Sequence, residues 1–186
     1  MNILRLVLAS SLVLLSACAT HIVPTISSNP PPARALHEFE AFELQPLTAA
    51  DAVKSPAALK KIDENLVQKL APLLAGWNKA GGGDTLVIAP QVQEIKFVGA
   101  PKRVFLGVLQ GSSAVRLTVR LSDKASGDVI AEPEFFQRAN AMGGAYTFGA
   151  TDNLMLIRIA SVVEEYLRRN YDTPVGGPTG LEAAKP

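Results

Sequence analysis

The chain is short of the residues that most chemistry needs. Its 186 residues include one cysteine and two histidines. A single cysteine allows no disulfide within the chain, so the fold must stand on its apolar core. So few thiols and imidazoles leave only carboxylates for a metal site. Neither sign of charge is in excess: 18 Lys and Arg against 17 Asp and Glu give a formal net charge of +1. That balance lacks the basic face nucleic acid requires and the polybasic patch that anionic lipid attracts. Long apolar runs are missing too. The run at residues 6–15 is ten residues, half of the ~20 a spanning helix needs.

What is present begins at the start of the chain, MNILRLVLASSLVLLSAC. Arg5 supplies a positive beginning, a short apolar run follows, and small residues precede a cut, which is the form of an export signal. The signal ends on Leu15-Ser16-Ala17-Cys18. This resembles closely the lipobox of bacterial lipoproteins. The resemblance implies a cut before Cys18, a diacylglyceryl group on its sulfur and an acylated amine. Several acyl chains at one residue hold a protein stably in a bilayer, where one alone does not. Ala19 stands where the family uses Asp for inner-membrane retention, which implies an outer-membrane location, and the domain is expected to face the periplasm. Loss of residues 1–17 removes Arg5 and no acid, leaving 17 bases and 17 acids.

Three regions follow the signal. Residues 18–34 read as a lipidated, flexible tether with Pro24 and the triplet Pro30-Pro31-Pro32; extended at ~3.1 Å per residue, it would lift a domain up to roughly 50 Å from the bilayer. Residues 173–186 carry much Gly and Pro and read as a disordered tail. Residues 35–172 are the size of one domain.

That domain reads as mixed α/β, a single two-layer unit in the order β-α-β-β-β-α. Residues 36–47 suit a first strand. A helix starts at Ser55-Pro56, with Ser as cap and Pro at the first helical position. Its apolar face is Leu59, Ile62, Leu66, Leu70, Leu73 and Trp77, and Pro72 should kink or shorten it. Residues 85–98 form a strand in which Pro90 marks an edge or bulge. Residues 114–121 alternate apolar and polar, and the segment Asp123 to Asp128 turns the chain into a hairpin partner over 129–139. A second helix covers 151–171, with Thr151 or Asp152 as cap and Leu154, Ile157, Val162, Tyr166 and Leu167 as its apolar side. A partly antiparallel sheet with the helices packed on it is the economical solution.

The stretch from Arg103 through Gly111, followed by Asp123, Gly127 and Asp128, carries a second resemblance. It is similar to a group of envelope lipoproteins that includes domains of unknown function. Their domain is related to the curli-secretion lipoprotein and to the amino-terminal domain of the Tol-system propeller protein. The resemblance implies a partner-binding or assembly module and not an enzyme.

Candidates for chemistry are few. His21 lies in the tether, and His37 with Ser112 or Ser113 lacks a nucleophile elbow. Glu132 and Glu134 would share a strand face, and Glu164 and Glu165 are adjacent on a helix; two carboxylates suffice for glycan hydrolysis. A solvated face is the simpler account of both pairs. No cofactor and no metal is expected. Gly107 and Gly111 are followed by no Lys-Ser/Thr, so the loop is not a phosphate loop. Two loops offer partner-binding residues: Arg103, Phe105 and Gln110 in residues 99–113, and Tyr146 and Phe148 in residues 143–153. Either loop would otherwise tuck its apolar residues into the core. The expectation is a membrane-anchored, non-catalytic envelope lipoprotein that binds a protein partner. The alternatives are a subunit of an oligomeric outer-membrane export channel and a glycan-active hydrolase.

Overall fold

The computed structural model describes residues 22–80, 83–97, 113–139 and 150–180. Its elements are β1 (Ser28–Asn29), a 3-10 turn (Leu36–Glu38), β2 (Ala41–Leu44), β3 (Thr48–Ala49), α1 (Pro56–Trp77), β4 (Thr85–Lys96), β5 (Ala114–Asp123), β6 (Val129–Ala131), β7 (Glu134–Arg138), α2 (Ala150–Arg169) and β8 (Gly177–Pro178).

Alternation sets the centre of the sheet. Val115, Leu117, Val119 and Leu121 of β5 are all fully or almost fully buried, as a period of two with one apolar face requires. β4 and β5 pair antiparallel along nearly their whole lengths. β2 and β3 run parallel to β4 on its outer side, and β6 and β7 run antiparallel to β5 on the other. The sheet is therefore mixed, with α1 and α2 packed against it and against each other. The core between them holds Phe39, Ile62, Leu66, Leu70, Leu86, Ile88, Phe135, Ile159 and Tyr166. The hairpin turn is held by Asp123, whose carboxylate accepts from the N–H groups of Ala125 and Ser126. Those two donors hold the Asp123 carboxyl below its ordinary range.

Several expectations need correction. Residues 36–38 form a 3-10 turn before β2 begins. The N–H groups of Leu36 and His37 donate to the carbonyls of Asn170 and Tyr171 at the end of α2 and not to a strand. Ser55 makes no side-chain cap, although Pro56 does take the first position of α1. Pro72 does not shorten that helix, which runs on to Trp77; the carbonyl that loses its donor belongs to exposed Gln68, where water replaces it cheaply.

Pro90 lies inside the sheet. It stands opposite Val119, whose N–H turns away from β4 to the carbonyl of Pro133. An N–H at position 90 would likewise point away from β5. It would enter the gap between β2, which pairs through Ile88, and β3, which pairs from Gln91. No ladder bond is lost, and the register irregularity falls instead between Val92 and Glu94.

The apolar side of α2 agrees with the expected one at Tyr166 and Leu167, with Val162 partly buried against the core, and departs from it at Leu154 and Ile157. Met155, Leu156, Ile159, Ala160, Val163, Tyr166 and Leu167 are buried, whereas Leu154 and Ile157 are 46% and 37% exposed. Thr151 and Asp152 lie within the helix and not at its cap.

The described parts of the expected tether and tail are packed on the domain. β1 pairs with β8, Ser28 against Pro178 and Asn29 against Gly177. Together they close the outer edge of β7: the Asn29 side chain bonds the main chain of Glu134, and the Phe136 N–H donates to the Thr179 carbonyl. Asn170, fully buried, organises the return after α2 by accepting from the N–H groups of Val175 and Gly176. The prolines suit this course. Pro30 to Pro32 bring no N–H to satisfy, and the Pro30 carbonyl accepts from the Tyr166 hydroxyl at 3.0 Å.

Candidate partner-binding groove

On the side away from the sheet, α1 and α2 leave an open groove of about 870 Å³. From α1 it is lined by Asn65, Gln68, Lys69, Pro72, Leu73, Gly76 and Trp77, and from α2 by Ile157, Glu164 and Arg168. The α1 residues recur at three and four, so one helical stripe faces the groove. The pairing of the helices is fixed at its floor. Asn65, buried, donates from Nδ2 to the Leu156 carbonyl at 3.3 Å. Across the middle Lys69 meets Glu164 at 3.6 Å, and Arg168 reaches the same carboxylate at 2.8 Å.

The groove mixes three chemistries. Ile157 is an exposed apolar side chain, and Leu154 continues that surface one turn earlier on α2. Pro72 brings no N–H to the Gln68 carbonyl, and both residues line the groove. Lys69, Glu164 and Arg168 supply charges of both signs. A Cβ on Gly76 would meet nothing within 4 Å, so the glycine leaves open room. At the far end Trp77 is stacked on Tyr171 with ring centroids 4.3 Å apart and leans on Phe42 at 5.3 Å.

The residues considered from the sequence are dispersed. Glu134 is buried and receives Arg116 at 3.1 Å and the Thr25 hydroxyl at 2.9 Å, while Glu132 is exposed. The two carboxylates do not converge, and Glu134 is engaged in holding the chain before β1. Glu164 faces the groove, and exposed Glu165 lines a neighbouring shallow depression with Glu164, Arg168 and Arg169. His37 is exposed, with Nδ1 3.0 Å from the Tyr171 carbonyl, far along the fold from buried Ser113 at the start of β5. Among the described residues no group of three or more His, Cys, Asp or Glu is placed to hold a metal, and no helix is long and apolar enough to cross a membrane. Cys18, His21, Arg103, Phe105, Gln110, Ser112, Tyr146 and Phe148 lie outside the described residues. The flanks of the two candidate loops do meet: Lys96 pairs with Ala114, and Ala114 with Arg138, so both loops leave the same end of the sheet.

The groove itself escaped the sequence reading. One signal was available. The buried residues of α2 form a complete stripe without Leu154 and Ile157, which are surplus to the core.

No protein-family model matches the chain, and no curated protein matches it in sequence. Among solved structures, it resembles a Xanthomonas campestris protein of family DUF330 at 15% identity and a TM-score of 0.47, over 78% of this chain and 90% of that one. It also resembles PelC of Paraburkholderia phytofirmans, solved as a dodecamer, at 14% identity and a TM-score of 0.45, over 72% and 92% of the two chains. A minor lipoprotein of Acinetobacter baumannii is similar at 12% identity and a TM-score of 0.37, over 74% and 99%. Likeness at this level transfers no activity, partner or assembly to this chain.

Proposed function

We propose that this chain is an outer-membrane lipoprotein, acylated at Cys18 and facing the periplasm, that acts without catalysis by binding a protein partner in the groove between α1 and α2. The observation that carries the reading is the groove: exposed Ile157, exposed Gln68 and Pro72, and the Lys69–Glu164–Arg168 cluster occupy one open surface. From Asn65 to Trp77 it follows α1 for about 18 Å, some three turns of helix. An amphipathic helix of the partner fits such a trough, placing an apolar residue on Ile157 and polar ones on the charged rim. The anchor rests on the sequence of residues 1–18.

A photoreactive residue at Gln68 of the full-length protein in living cells tests this. The expected result is one discrete adduct with another envelope protein. Once purified, that protein should bind the chain and lose affinity at least about tenfold with Ile157→Asp, the order expected when an apolar interface anchor is replaced by a charge. Adducts only with the chain itself, in ladders of regular mass, would favour the export-channel subunit. Release of fragments from purified peptidoglycan would favour the hydrolase.

A further inference from the structure

We propose that the domain rests directly against the membrane that holds Cys18, with the end of the sheet carrying Ile22, Phe97 and Arg138 turned toward the phospholipid headgroups. This rests on the acylation of Cys18 proposed above and goes beyond it, because an anchor alone does not say how the domain is mounted.

The length of the leash decides. Ile22 is 8% exposed and packs with Ala114 and Phe136. Three residues later the N–H and hydroxyl of Thr25 both donate to the Glu134 carboxylate, and Asn29 is fixed to the main chain of β7. The chain is therefore held from Ile22 onward, and only residues 19–21 separate it from Cys18. Four residue steps span at most about 14 Å. A leash that short leaves this corner at the bilayer surface.

The chemistry of the corner suits that position. Lys96 and Arg138 flank Ala114 in one cross-strand row over β4, β5 and β7, beside the Ile22 contact. Cations in this place meet lipid phosphate. Val23 and Phe97 are 52% and 40% exposed at the same corner, and apolar side chains there can enter the interface. The opposite end lies about 30 Å away along the ten residues of β5. It carries the turn after Asp123 and the end of α1, where Ala75 is exposed.

The test uses acylated full-length protein recovered from cells and placed in vesicles of phosphatidylethanolamine and phosphatidylglycerol. With the Cys18 sulfur blocked by lipid, Val23→Cys, Phe97→Cys and Ala75→Cys each present one thiol for a fluorophore. A spin label on the lipid headgroup should quench the labels at 23 and 97 severalfold more than the label at 75. Equal quenching at all three, or none at 23 and 97 on vesicle-bound protein, overturns the mounting and leaves the anchor standing. An amino-terminal peptide without acyl mass at Cys18, in protein that does not sediment with vesicles, overturns both.

Discussion

The carboxamide of Asn29 stands beside Glu134 as a neighbouring strand would. Its Nδ2 donates to the Glu134 carbonyl at 2.8 Å, and its Oδ1 accepts from the Glu134 N–H at 2.7 Å. Both residues are buried, so water has no access to replace either bond. Asn29→Leu keeps the approximate volume and leaves two orphaned main-chain groups on β7. At ~1–3 kcal/mol for each buried unsatisfied group, the variant should lose about 2–6 kcal/mol. Urea unfolding of the purified protein measures it. A loss under ~1 kcal/mol would show that the chain before β1 does not contribute to the stability of the sheet.

Arg116 and Glu134 form a partly buried pair one layer inside that contact. Burial opposes the charge on Arg116, but its bonds to Glu134 and Glu94 outweigh this and raise its pKa. Arg116→Met strands the Glu134 carboxylate with Thr25 as its remaining side-chain donor. The expected loss is about 3 kcal/mol, at the lower edge of the range for broken buried pairs. Adding Glu134→Gln removes the stranded charge, so the double variant should be more stable than the sum of the singles by at least ~1 kcal/mol. A thermodynamic cycle over the four proteins reads this coupling directly.

The periodic elements were legible in the sequence and the closures between them were not. β5 carries four apolar residues at a spacing of two, and α1 repeats its own at three and four, so each face could be read from its own segment. The β1–β8 pair joins Asn29 to Gly177 through two-residue strands at opposite ends of the chain. Two residues have no period, and a carboxamide standing in for a strand leaves no pattern. The prolines before β2 therefore suggested a free tether, although a segment without N–H groups is equally suited to crossing a sheet edge. The second helix was legible as a helix, and its face only in part. Leu154 and Ile157 have the right spacing for a core face, and only the fuller stripe beginning at Met155 shows them to be surplus. The groove is made by two helices together and belongs to neither sequence segment alone. Of the partner-binding residues expected in the loops, the register of β4, β5 and β7 brings the flanks to one end of the sheet.

Two glycines with left-handed backbone separate strain from collision. Gly127 has φ +77, and an added Cβ would meet nothing within 4 Å. Gly127→Ala then costs only the conformational strain, about 1–2 kcal/mol, or some 2–8 °C in Tm at ~2–4 °C per kcal/mol. Gly176 has φ +72, and its Cβ would lie 2.3 Å from the Asn29 carbonyl oxygen. Gly176→Ala must strain the turn and also push the main chain before Pro30 away from β8. Its Tm should fall at least twice as far. Equal shifts in a thermal melt would mean that the β1–β8 contact yields without cost.

Tyr166 links this packing to pH. Its ring is 2% exposed, edge-on to Phe135 at 5.7 Å, and its hydroxyl donates to the Pro30 carbonyl at 3.0 Å. Burial pushes the phenol up to about 12, against about 10 in the unfolded chain. Because the folded pKa is the higher, the contribution is fully present below pH ~10 and is lost as pH rises toward ~12. In that window the unfolded state releases the proton and the folded state keeps it, so stability falls by up to ~1.4 kcal/mol per pH unit from this group. The comparison that isolates this hydroxyl is with Tyr166→Phe. That variant should be less stable than the parent at pH 8, where it lacks the bond to Pro30. The gap should narrow or reverse by pH 11.5, where the parent alone carries the buried phenol. A gap that stays constant from pH 8 to 11.5 in urea melts would show the hydroxyl to be open to ionisation in the folded state, and the contact between α2 and Pro30 to be loose.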